Sequence, residues 1–273
     1  MKDTIRVALI QGKPYPELDD PRNVGHAITL LEKCSGKDVD LACLPEYFPW
    51  GGEEILADMA SQLRCYIVAG LVEEMGNKKF NTATLFDRNG RIVGRQRKVH
   101  PGTMERRHFG VTPGNAIWKV FKSDFGKIGF PVAIDFWGQP EAAKMVADQG
   151  ADLIINLSIF PILREHWKQS ALVRAFDNFI PVIGVNTSDF NCRVQGRVYG
   201  HRGGGSMIIQ PPKLVSEDDF TLWLRSLDSL EKWATVELDN REQIFIGEVD
   251  LGTARRFRAE FWRRLGIHRH RVK

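Results

Sequence analysis

The sequence has little cysteine, and the cysteines that it has form no recognisable set. Cys34, Cys43, Cys65 and Cys192 show neither the spacing of disulfide pairs nor that of metal ligands. Three of the four lie within apolar runs, which favours buried free thiols in a reducing compartment over disulfides. No cluster of histidine and cysteine accompanies them, so the sequence predicts no metal site.

Long apolar runs and a strong charge of one sign are also missing. No stretch of eighteen apolar residues occurs, and no basic-then-apolar segment stands near the N-terminus, so we expect neither a membrane span nor a signal peptide and predict a cytoplasmic protein. The net charge of +4 is mild, and the Arg/His-rich residues 263–271 are interpreted as a solvated tail. We therefore expect no nucleic-acid partner and no membrane partner.

What is present is typical of a globular α/β protein. Apolar residues make up 43% and charged residues 26% of the 273 positions, which is enough for a sizeable core. Strand and helix periodicities alternate along the chain, with hairpin signals such as Asn89-Gly90, and this pattern favours mixed sheets. We predict a single domain over residues 1–273, with an inserted amphipathic segment at about 212–238 and a C-terminal extension.

The predicted elements follow from that periodicity. Strands are predicted at 4–11, 39–44, 65–72, 80–87, 91–97, 117–121, 127–132, 151–156, 181–186, 206–210 and 244–250. Helices are predicted at 21–36, 53–64, 140–150, 165–179 and 253–265.

One stretch, residues 126–141, organises the chain. It predicts a hairpin tip, a short apolar strand, a sharp corner and a helix that begins at Pro140, where the missing N–H is harmless. The buried-type strand 151–156 follows directly. Such a unit holds the corner side chain, here Ala133, at a crevice beside backbone N–H groups that can face an anion.

Two charged residues are placed like that corner, just beyond the ends of predicted strands. Glu46 follows the strand 39–44, and Lys98 follows the strand 91–97. In open α/β sheets, ligands bind outside the carboxyl ends of the strands. Each charge taken singly would be interpreted as an ordinary loop residue, but together with Ala133 they predict one cleft with two largely buried charges.

Three motifs contain these residues: Leu44-Pro45-Glu46, Arg97-Lys98-Val99-His100-Pro101 and Gly129-x-x-x-Ala133-x-Asp135. They resemble the nitrilase, or carbon–nitrogen hydrolase, superfamily, in its amidase or carbamoylase-like branch. They stand in the superfamily's order of Glu, Lys and Cys, and the resemblance covers nearly the whole chain. It implies a four-layer α-β-β-α sandwich of two mixed β-sheets. It also implies hydrolysis of a non-peptide C–N bond, of amide or N-carbamoyl type, without metal or organic cofactor.

The resemblance further implies roles for individual residues. Glu46 matches the general base, Lys98 the cation that stabilises the oxyanion together with the Ile134 N–H, and Ala133 the position of the nucleophile. Glu105 lies in the loop where a second glutamate orients the substrate or the lysine. Further candidates for substrate contact are Asp135, Trp137, Asn156, Arg164 and Arg202.

The sequence departs from the superfamily's pattern at the corner itself. The cysteine is absent, and Glu141 follows Asp135 by six residues where members commonly have five. Three explanations stay open for Ala133: a deliberate cysteine replacement that traps substrate, a natural pseudoenzyme that acts as a binding or scaffold protein, and a different nucleophile, for which Asp135 is the adjacent candidate.

The substrate and the assembly are predicted in outline only. Asp135, where true nitrilases often carry Glu, favours a small-molecule amide or carbamoyl substrate, with nitrile hydrolysis and acyl transfer as alternatives. Arg164 or Arg202 would favour an acidic substrate, because guanidinium groups recognise carboxylates. The resemblance also implies a homodimer or a larger homo-oligomer, in which helices 165–179 and 253–265 would take part.

Overall fold

The computed structural model describes residues 2–159, 164–211 and 230–264. The β-strands are β1 (Thr4–Gln11), β2 (Leu41–Cys43), β3 (Pro49–Trp50), β4 (Tyr66–Met75), β5 (Lys78–Phe86), β6 (Ile92–Arg97), β7 (Val120–Lys122), β8 (Lys127–Gly129), β9 (Leu153–Leu157), β10 (Val182–Val185), β11 (Phe190–Val194), β12 (Arg197–His201), β13 (Met207–Ile209), β14 (Ala234–Glu237) and β15 (Gln243–Asp250). The α-helices are α1 (Arg22–Glu32), α2 (Glu53–Leu63), α3 (Thr103–His108), α4 (Ile134–Trp137), α5 (Pro140–Asp148), α6 (Arg164–Asn178) and α7 (Leu251–Arg264).

Two mixed sheets carry the fold. The first has the strand order β15-β1-β2-β4-β5-β6, with β3 also paired to β4. The second has the order β14-β13-β10-β9-β8-β7. In each sheet the central strands run parallel and the outer pairs run antiparallel. In the first sheet, for example, β1 is parallel to β2 and antiparallel to β15. The parallel pairs bring the carboxyl ends of β2 and β4, and of β9 and β10, to common edges.

The sheets pack face to face, and helices cover their outer sides. One apolar cluster, which includes Leu9, Val68, Ile155 and Val185, joins residues of both sheets. A second cluster packs α5, α6 and α7 on the second sheet, and a third packs α1 and α2 on the first. The layer order is therefore helix, sheet, sheet, helix, which confirms the predicted four-layer α-β-β-α sandwich.

Most predicted elements are present with shifted ends. The hairpin at Asn89-Gly90 is confirmed, since the Asp87 N–H donates to the Arg91 carbonyl and Gly90 has φ +76°. The strand predicted at 127–132 is shorter, because β8 ends at Gly129 and the chain then leaves the sheet towards the corner. The predictions missed α3 and the short α4, which have six and four residues and give too little periodicity to detect.

The predictions also missed the hairpin of β11 and β12, which forms a small separate sheet. Its turn, Gln195-Gly196, lacks the Asn-Gly or Asp-Gly signature. The predicted inserted segment at about 212–238 falls largely on 212–229, outside the described residues, and stays a prediction. Its last residues form a 3₁₀ turn (Leu230–Trp233) followed by the edge strand β14.

Among the described residues, no helix combines the length and the apolar character that a membrane crossing requires.

Candidate active site

Glu46 lies three residues beyond β2, where a close approach to β4 fixes its backbone. A Cβ atom on Gly70 of β4 would lie 2.5 Å from the Glu46 Cα and 2.6 Å from the Pro45 oxygen, so only glycine fits there. The Glu46 side chain is 1% exposed. Its Oε2 accepts the Ile159 backbone N–H at 3.0 Å, which ties the end of β2 to the end of β9 in the other sheet.

The ammonium group of Lys98 lies between two carboxylates. Lys98 Nζ is 2.8 Å from Glu46 Oε1 and 2.7 Å from Glu105 Oε2, and all three side chains are largely buried. Asn81 Nδ2 bridges the same carboxylates, at 2.7 Å from Glu46 Oε1 and 2.9 Å from Glu105 Oε1. The Tyr47 hydroxyl donates to Glu105 Oε1 at 2.7 Å. The structure thus brings the three predicted charges together and adds two neutral residues that hold them.

Burial and the nearby Lys98 ammonium group shift the pKa values of Glu46 and Glu105 in opposite directions. Burial raises the pKa of Glu46, and the Lys98 charge only partly offsets that effect. Burial also opposes ionisation of Glu105, but the Lys98 charge and the hydrogen bonds to that carboxylate hold its pKa below the usual range. Burial disfavours the charged form of Lys98, yet the two carboxylates raise its pKa overall. A protonated lysine beside one carboxyl that readily accepts a proton is the arrangement that general acid–base chemistry needs.

The corner at Ala133 has a strained backbone that its neighbours hold in place. Ala133 adopts φ 44° and ψ −116°, a region that costs a non-glycine residue of order 1–3 kcal/mol. Its N–H donates to the Leu157 carbonyl at 2.9 Å, and its carbonyl accepts from the Phe136 N–H at 2.9 Å and from Asn156 Nδ2 at 3.2 Å. Helix α4 begins at the next residue, so the Ile134 N–H belongs to the first turn of a helix.

Asn156 supports this corner from β9. Its Nδ2 also donates to the Pro131 carbonyl at 2.8 Å, and its Oδ1 accepts the Trp167 indole N–H at 2.7 Å. Asn156 is fully buried, and both ends of its amide are used within the protein. These contacts favour a role in positioning Ala133; substrate contact by Asn156 stays a prediction.

Asp135 joins the corner to the loop that follows Lys98. Its Oδ2 accepts the Val99 N–H at 2.6 Å, and its Oδ1 accepts the His100 N–H at 3.0 Å and lies 2.8 Å from His100 Nδ1. The Trp118 indole N–H approaches Oδ2 at 3.4 Å. Asp135 is fully buried, and its contacts connect the residue after Lys98 with the second residue after Ala133. Asp135 therefore links the corner at Ala133 to the loop after Lys98. The contact of Glu46 with Ile159 and that of Ala133 with Leu157 both lie at the carboxyl end of β9.

The remaining predicted residues have described contacts with other parts of the protein. Arg164 Nη2 contacts Glu237 Oε1 and the Leu238 carbonyl, each at 3.0 Å. Arg202 is exposed and lines a different concavity, on the β11–β12 side. Trp137 ends α4 with its ring against His166, at 5.8 Å between centroids. Among the described residues, no hydrogen bond or ion pair joins any of these three side chains to Lys98, whose ammonium group contacts Glu46 and Glu105.

Sequence reasoning missed Asn81, Tyr47 and the Ile159 backbone. Tyr47 adjoins Glu46 in sequence, and Asn81 lies in a predicted strand, but neither stands in a motif that marks it. Their contribution is visible only once the carboxylates that they contact have been located. Among the described residues, no group of three or more His, Cys, Asp or Glu side chains could hold a metal ion, and the predicted lack of a cofactor stays a prediction.

Most of the sequence, including all the residues of this site, matches one known protein family. The family model "Carbon-nitrogen hydrolase" matches residues 6–213, well over half of the chain. The chain belongs to the carbon–nitrogen hydrolase family.

Characterised relatives within the carbon–nitrogen hydrolases include nitrilases and amidases. The chain is 29% identical to a nitrilase from Pyrococcus abyssi over 229 residues, which is 77% of this chain and 82% of that protein. It is 27% identical to an omega-amidase from Xenopus laevis over 65% of this chain and 72% of that protein. Identity to an N-carbamoylputrescine amidase from Solanum lycopersicum is 29%, but it covers 48% of this chain and only 47% of the relative.

Solved structures of carbon–nitrogen hydrolases share the fold. The enzyme from Helicobacter pylori G27 aligns with a TM-score of 0.78 at 20% identity, over 98% of this chain and 96% of that one. An alanine-for-cysteine mutant of the amidase from Nesterenkonia sp. AN1, in complex with butyramide, aligns with a TM-score of 0.73 at 20% identity, over 95% and 96%. At this identity the likeness establishes the fold alone.

Proposed function

We propose that this chain carries a hydrolase site for a small amide or N-carbamoyl substrate, which it binds but does not turn over while alanine occupies position 133. The observation that carries this proposal is the buried Lys98 Nζ, 2.8 Å from Glu46 and 2.7 Å from Glu105. Burying such a charge cluster is costly, and apolar residues of similar volume would often be at least as stable. The strained backbone at Ala133 also lowers the stability of the fold, and an alanine side chain, which carries no functional group, gives no reason for that strain.

A thiol at position 133 would complete a two-step hydrolysis. Glu46 takes the thiol proton, and the thiolate attacks the substrate carbonyl carbon to give an oxyanion that Lys98 and the Ile134 N–H stabilise. The C–N bond breaks as Glu46 returns the proton to the leaving nitrogen, and a thioester remains. Water then gives a proton to Glu46, attacks the thioester and releases the acid and the thiol. The raised pKa of Glu46 suits it to hold the proton between these steps.

Two buried polar atoms near the charges favour a polar substrate. Asn81 Oδ1 and Ser158 Oγ have no hydrogen-bond partner among the described residues. Asn81 holds both carboxylates, and Ser158 precedes Ile159, whose N–H binds Glu46. Because buried polar atoms in folded proteins are nearly always paired, we propose that a bound amide satisfies one or both of them. An amide N–H suits the Asn81 oxygen, whereas a nitrile offers no donor.

The test is to place a cysteine at the corner and measure turnover. The unsubstituted chain is expected to show no turnover. In a serine protease, removal of the nucleophile lowers kcat on the order of a millionfold. Ala133→Cys is expected to release ammonia or acid from members of a panel of amides, N-carbamoyl acids and nitriles. Intact-mass spectrometry should then detect the acyl-enzyme, and calorimetry should detect amide binding to the unsubstituted chain.

The matched control is Ala57→Cys, which puts the same thiol on α2, away from the site. It should be inactive, as should Ala133→Cys combined with Glu46→Gln or Lys98→Met. Silence of Ala133→Cys on the whole panel, with no acyl-enzyme and no amide binding, would refute the proposal. Strong turnover by the unsubstituted chain would instead require another nucleophile. Transfer of the acyl group to an added amine, in place of water, would identify an acyl-transfer member.

A further inference from the structure

A concavity lies beyond the carboxyl ends of β1 and β10, and its lining differs from the residues of the candidate active site. Its volume is about 640 Å³, within the usual range of small-molecule sites, which is roughly 300–1,000 Å³. Its lining comes from the loop after β1 and from both strands of the β11–β12 hairpin. That lining includes neither Glu46 nor Lys98, so a ligand here would be held by other residues than those proposed for the amide substrate.

Direct hydrogen bonds hold the two walls of this pocket together. The Arg193 N–H of β11 donates to the Pro16 carbonyl at 2.7 Å, and the Arg193 guanidinium pairs with Glu17 at 3.0 Å. The Ser188 N–H donates to the Gly12 carbonyl at 3.0 Å, which joins the residue beyond β1 to the loop beyond β10. The walls of the pocket are therefore joined by contacts within the protein.

The floor of the pocket is mostly apolar. Pro14 and Phe190 are buried in it, and Pro16 is half-buried. The Phe190 ring lies against the His201 ring, with 5.5 Å between centroids. Burial lowers the pKa of His201 to about 4, so the imidazole adds an uncharged ring to this floor at neutral pH. A ligand with an apolar body fits these walls.

Two cations stand at the rim above that floor. Lys13 and Arg202 are exposed, and neither side chain forms an ion pair with any residue that the structure describes. The one acid in the lining is Asp189, and its two carboxylate oxygens already accept hydrogen bonds from the Gly203 N–H and the Asn240 side chain. The lining therefore carries a formal charge of +1, with a lysine and an arginine available to a ligand.

We propose that this pocket binds a small organic anion with an apolar body and one carboxylate group. The carboxylate would lie between Lys13 and Arg202, whose guanidinium group can bind it with two parallel hydrogen bonds. The apolar body would cover Pro14, Pro16 and Phe190. The carboxylate would pair with the two cations, and the apolar body would cover the apolar floor. A purely apolar molecule or an inorganic anion would make only one of these two contacts.

Calorimetric titration of the full chain with three probes tests the assignment. Phenylacetate is expected to bind saturably, whereas 2-phenylethanol, which lacks the charge, and inorganic phosphate, which lacks the apolar body, should bind at least tenfold more weakly. Lys13→Gln and Arg202→Gln should each weaken phenylacetate binding at least tenfold. Both residues are exposed, so folding is expected to survive, and circular dichroism checks it.

The matched control is Arg197→Gln, which removes an exposed arginine from the same hairpin but outside the pocket lining. It should change the dissociation constant of phenylacetate by less than twofold. Equal weakening by all three substitutions would mean general attraction to a basic surface and would overturn the proposal. So would phosphate binding as tight as that of phenylacetate, or no saturable binding of phenylacetate. Weakening by Lys13→Gln and Arg202→Gln but not by Arg197→Gln separates binding here from binding at the amide site, because the lining includes neither Glu46 nor Lys98.

Discussion

At the scale of single residues, Asp135 shows how a side chain can matter to a site without facing its substrate. It is fully buried, and its carboxylate accepts the backbone N–H groups of Val99 and His100 directly after Lys98. It also stands two residues after Ala133. These contacts leave Asp135 committed to two segments of the protein, which favours a positioning role over that of an alternative nucleophile.

We expect Asp135→Asn to destabilise the protein by about 2–4 kcal/mol. The amide NH2 group would replace one of the two carboxylate oxygens, so one backbone N–H would face a donor in place of its acceptor, and a buried unsatisfied donor is among the more costly results of a single change. Urea denaturation measures the change, with Asp58→Asn, exposed on α2, as the control that should stay within about 0.5 kcal/mol. In the Ala133→Cys background Asp135→Asn should also lower kcat. A fully stable Asp135→Asn variant would contradict this account.

The sequence predicted the charged members of the candidate site better than their neighbours, for a physical reason. Strand ends and motif order locate Glu46, Lys98 and Ala133, because ligands of α/β sheets bind outside the carboxyl ends of the strands. A sequence does not reveal whether a polar group is already bonded. Substrate contact by Asn156 and Arg164 stays a prediction, and what the sequence did not reveal is that their polar atoms contact Trp167 and Glu237.

At the scale of elements, the approach of β4 to the segment after β2 determines where the base lies. Gly70 allows it, since a Cβ there would meet backbone atoms of Pro45, Glu46 and Tyr47 at 2.5–2.8 Å. Backbone atoms cannot swing aside as the end of a flexible side chain can. The position of Glu46 therefore depends on a glycine in another strand.

We expect Gly70→Ala to cost about 1–3 kcal/mol of stability, as overpacking does in other cores. In the Ala133→Cys background it should lower turnover at least tenfold, because a displacement of about 1 Å can cost a hundredfold in rate. Gly25→Ala is the control: Gly25 lies exposed in α1, a Cβ atom there would have no neighbour within 4 Å, and alanine should stabilise that helix by roughly 0.5–1 kcal/mol. Unchanged stability and turnover in Gly70→Ala would show that the segment can move without consequence.

Long elements with clear periodicity were predictable, whereas short ones were not. Helix α6 was predicted at 165–179 and runs over Arg164–Asn178, because fifteen residues repeat their apolar face several times. The four residues of α4 cannot do so, and hydrogen bonds from Ala133 and its neighbours determine that turn instead. The layer arrangement likewise came from the family resemblance, because periodicity does not say which sheet covers which.

At the scale of the whole molecule, polar contacts connect the two halves of the sandwich at both ends of the strands. At the amino ends, Arg255 of α7 donates to the Lys2 carbonyl beside the first sheet and to Asp152 and the Phe125 carbonyl beside the second. At the carboxyl ends, Gln11 of β1 accepts the Ser206 N–H, next to the second sheet. The apolar cluster between the sheets lies between these connections.

Gln11 gives the sharpest test of this connection, because it is fully buried and uses both ends of its amide. Its Nε2 donates to the carbonyls of Asp239 at 2.9 Å and Arg241 at 2.6 Å, and its Oε1 accepts from Ser206 at 3.1 Å. Gln11→Leu keeps the approximate shape of the side chain but removes all three hydrogen bonds, which leaves their partners unpaired. We expect a loss of about 2–4 kcal/mol, since each unpaired buried group costs on the order of 1–3 kcal/mol and relaxation recovers part of the sum.

Urea denaturation of the unsubstituted protein and of Gln11→Leu measures the loss of stability. The control is Gln169→Leu on the exposed side of α6, which should change stability by no more than about 0.5 kcal/mol. Hydrogen exchange separates a global effect from a local one. If Gln11 connects the sheets, the Ser206 amide should lose protection in Gln11→Leu far more than amides in α2, which pack on the first sheet alone. Equal loss everywhere would reflect global destabilisation only, and unchanged protection at Ser206 would mean that the two sheets hold together at this end without Gln11.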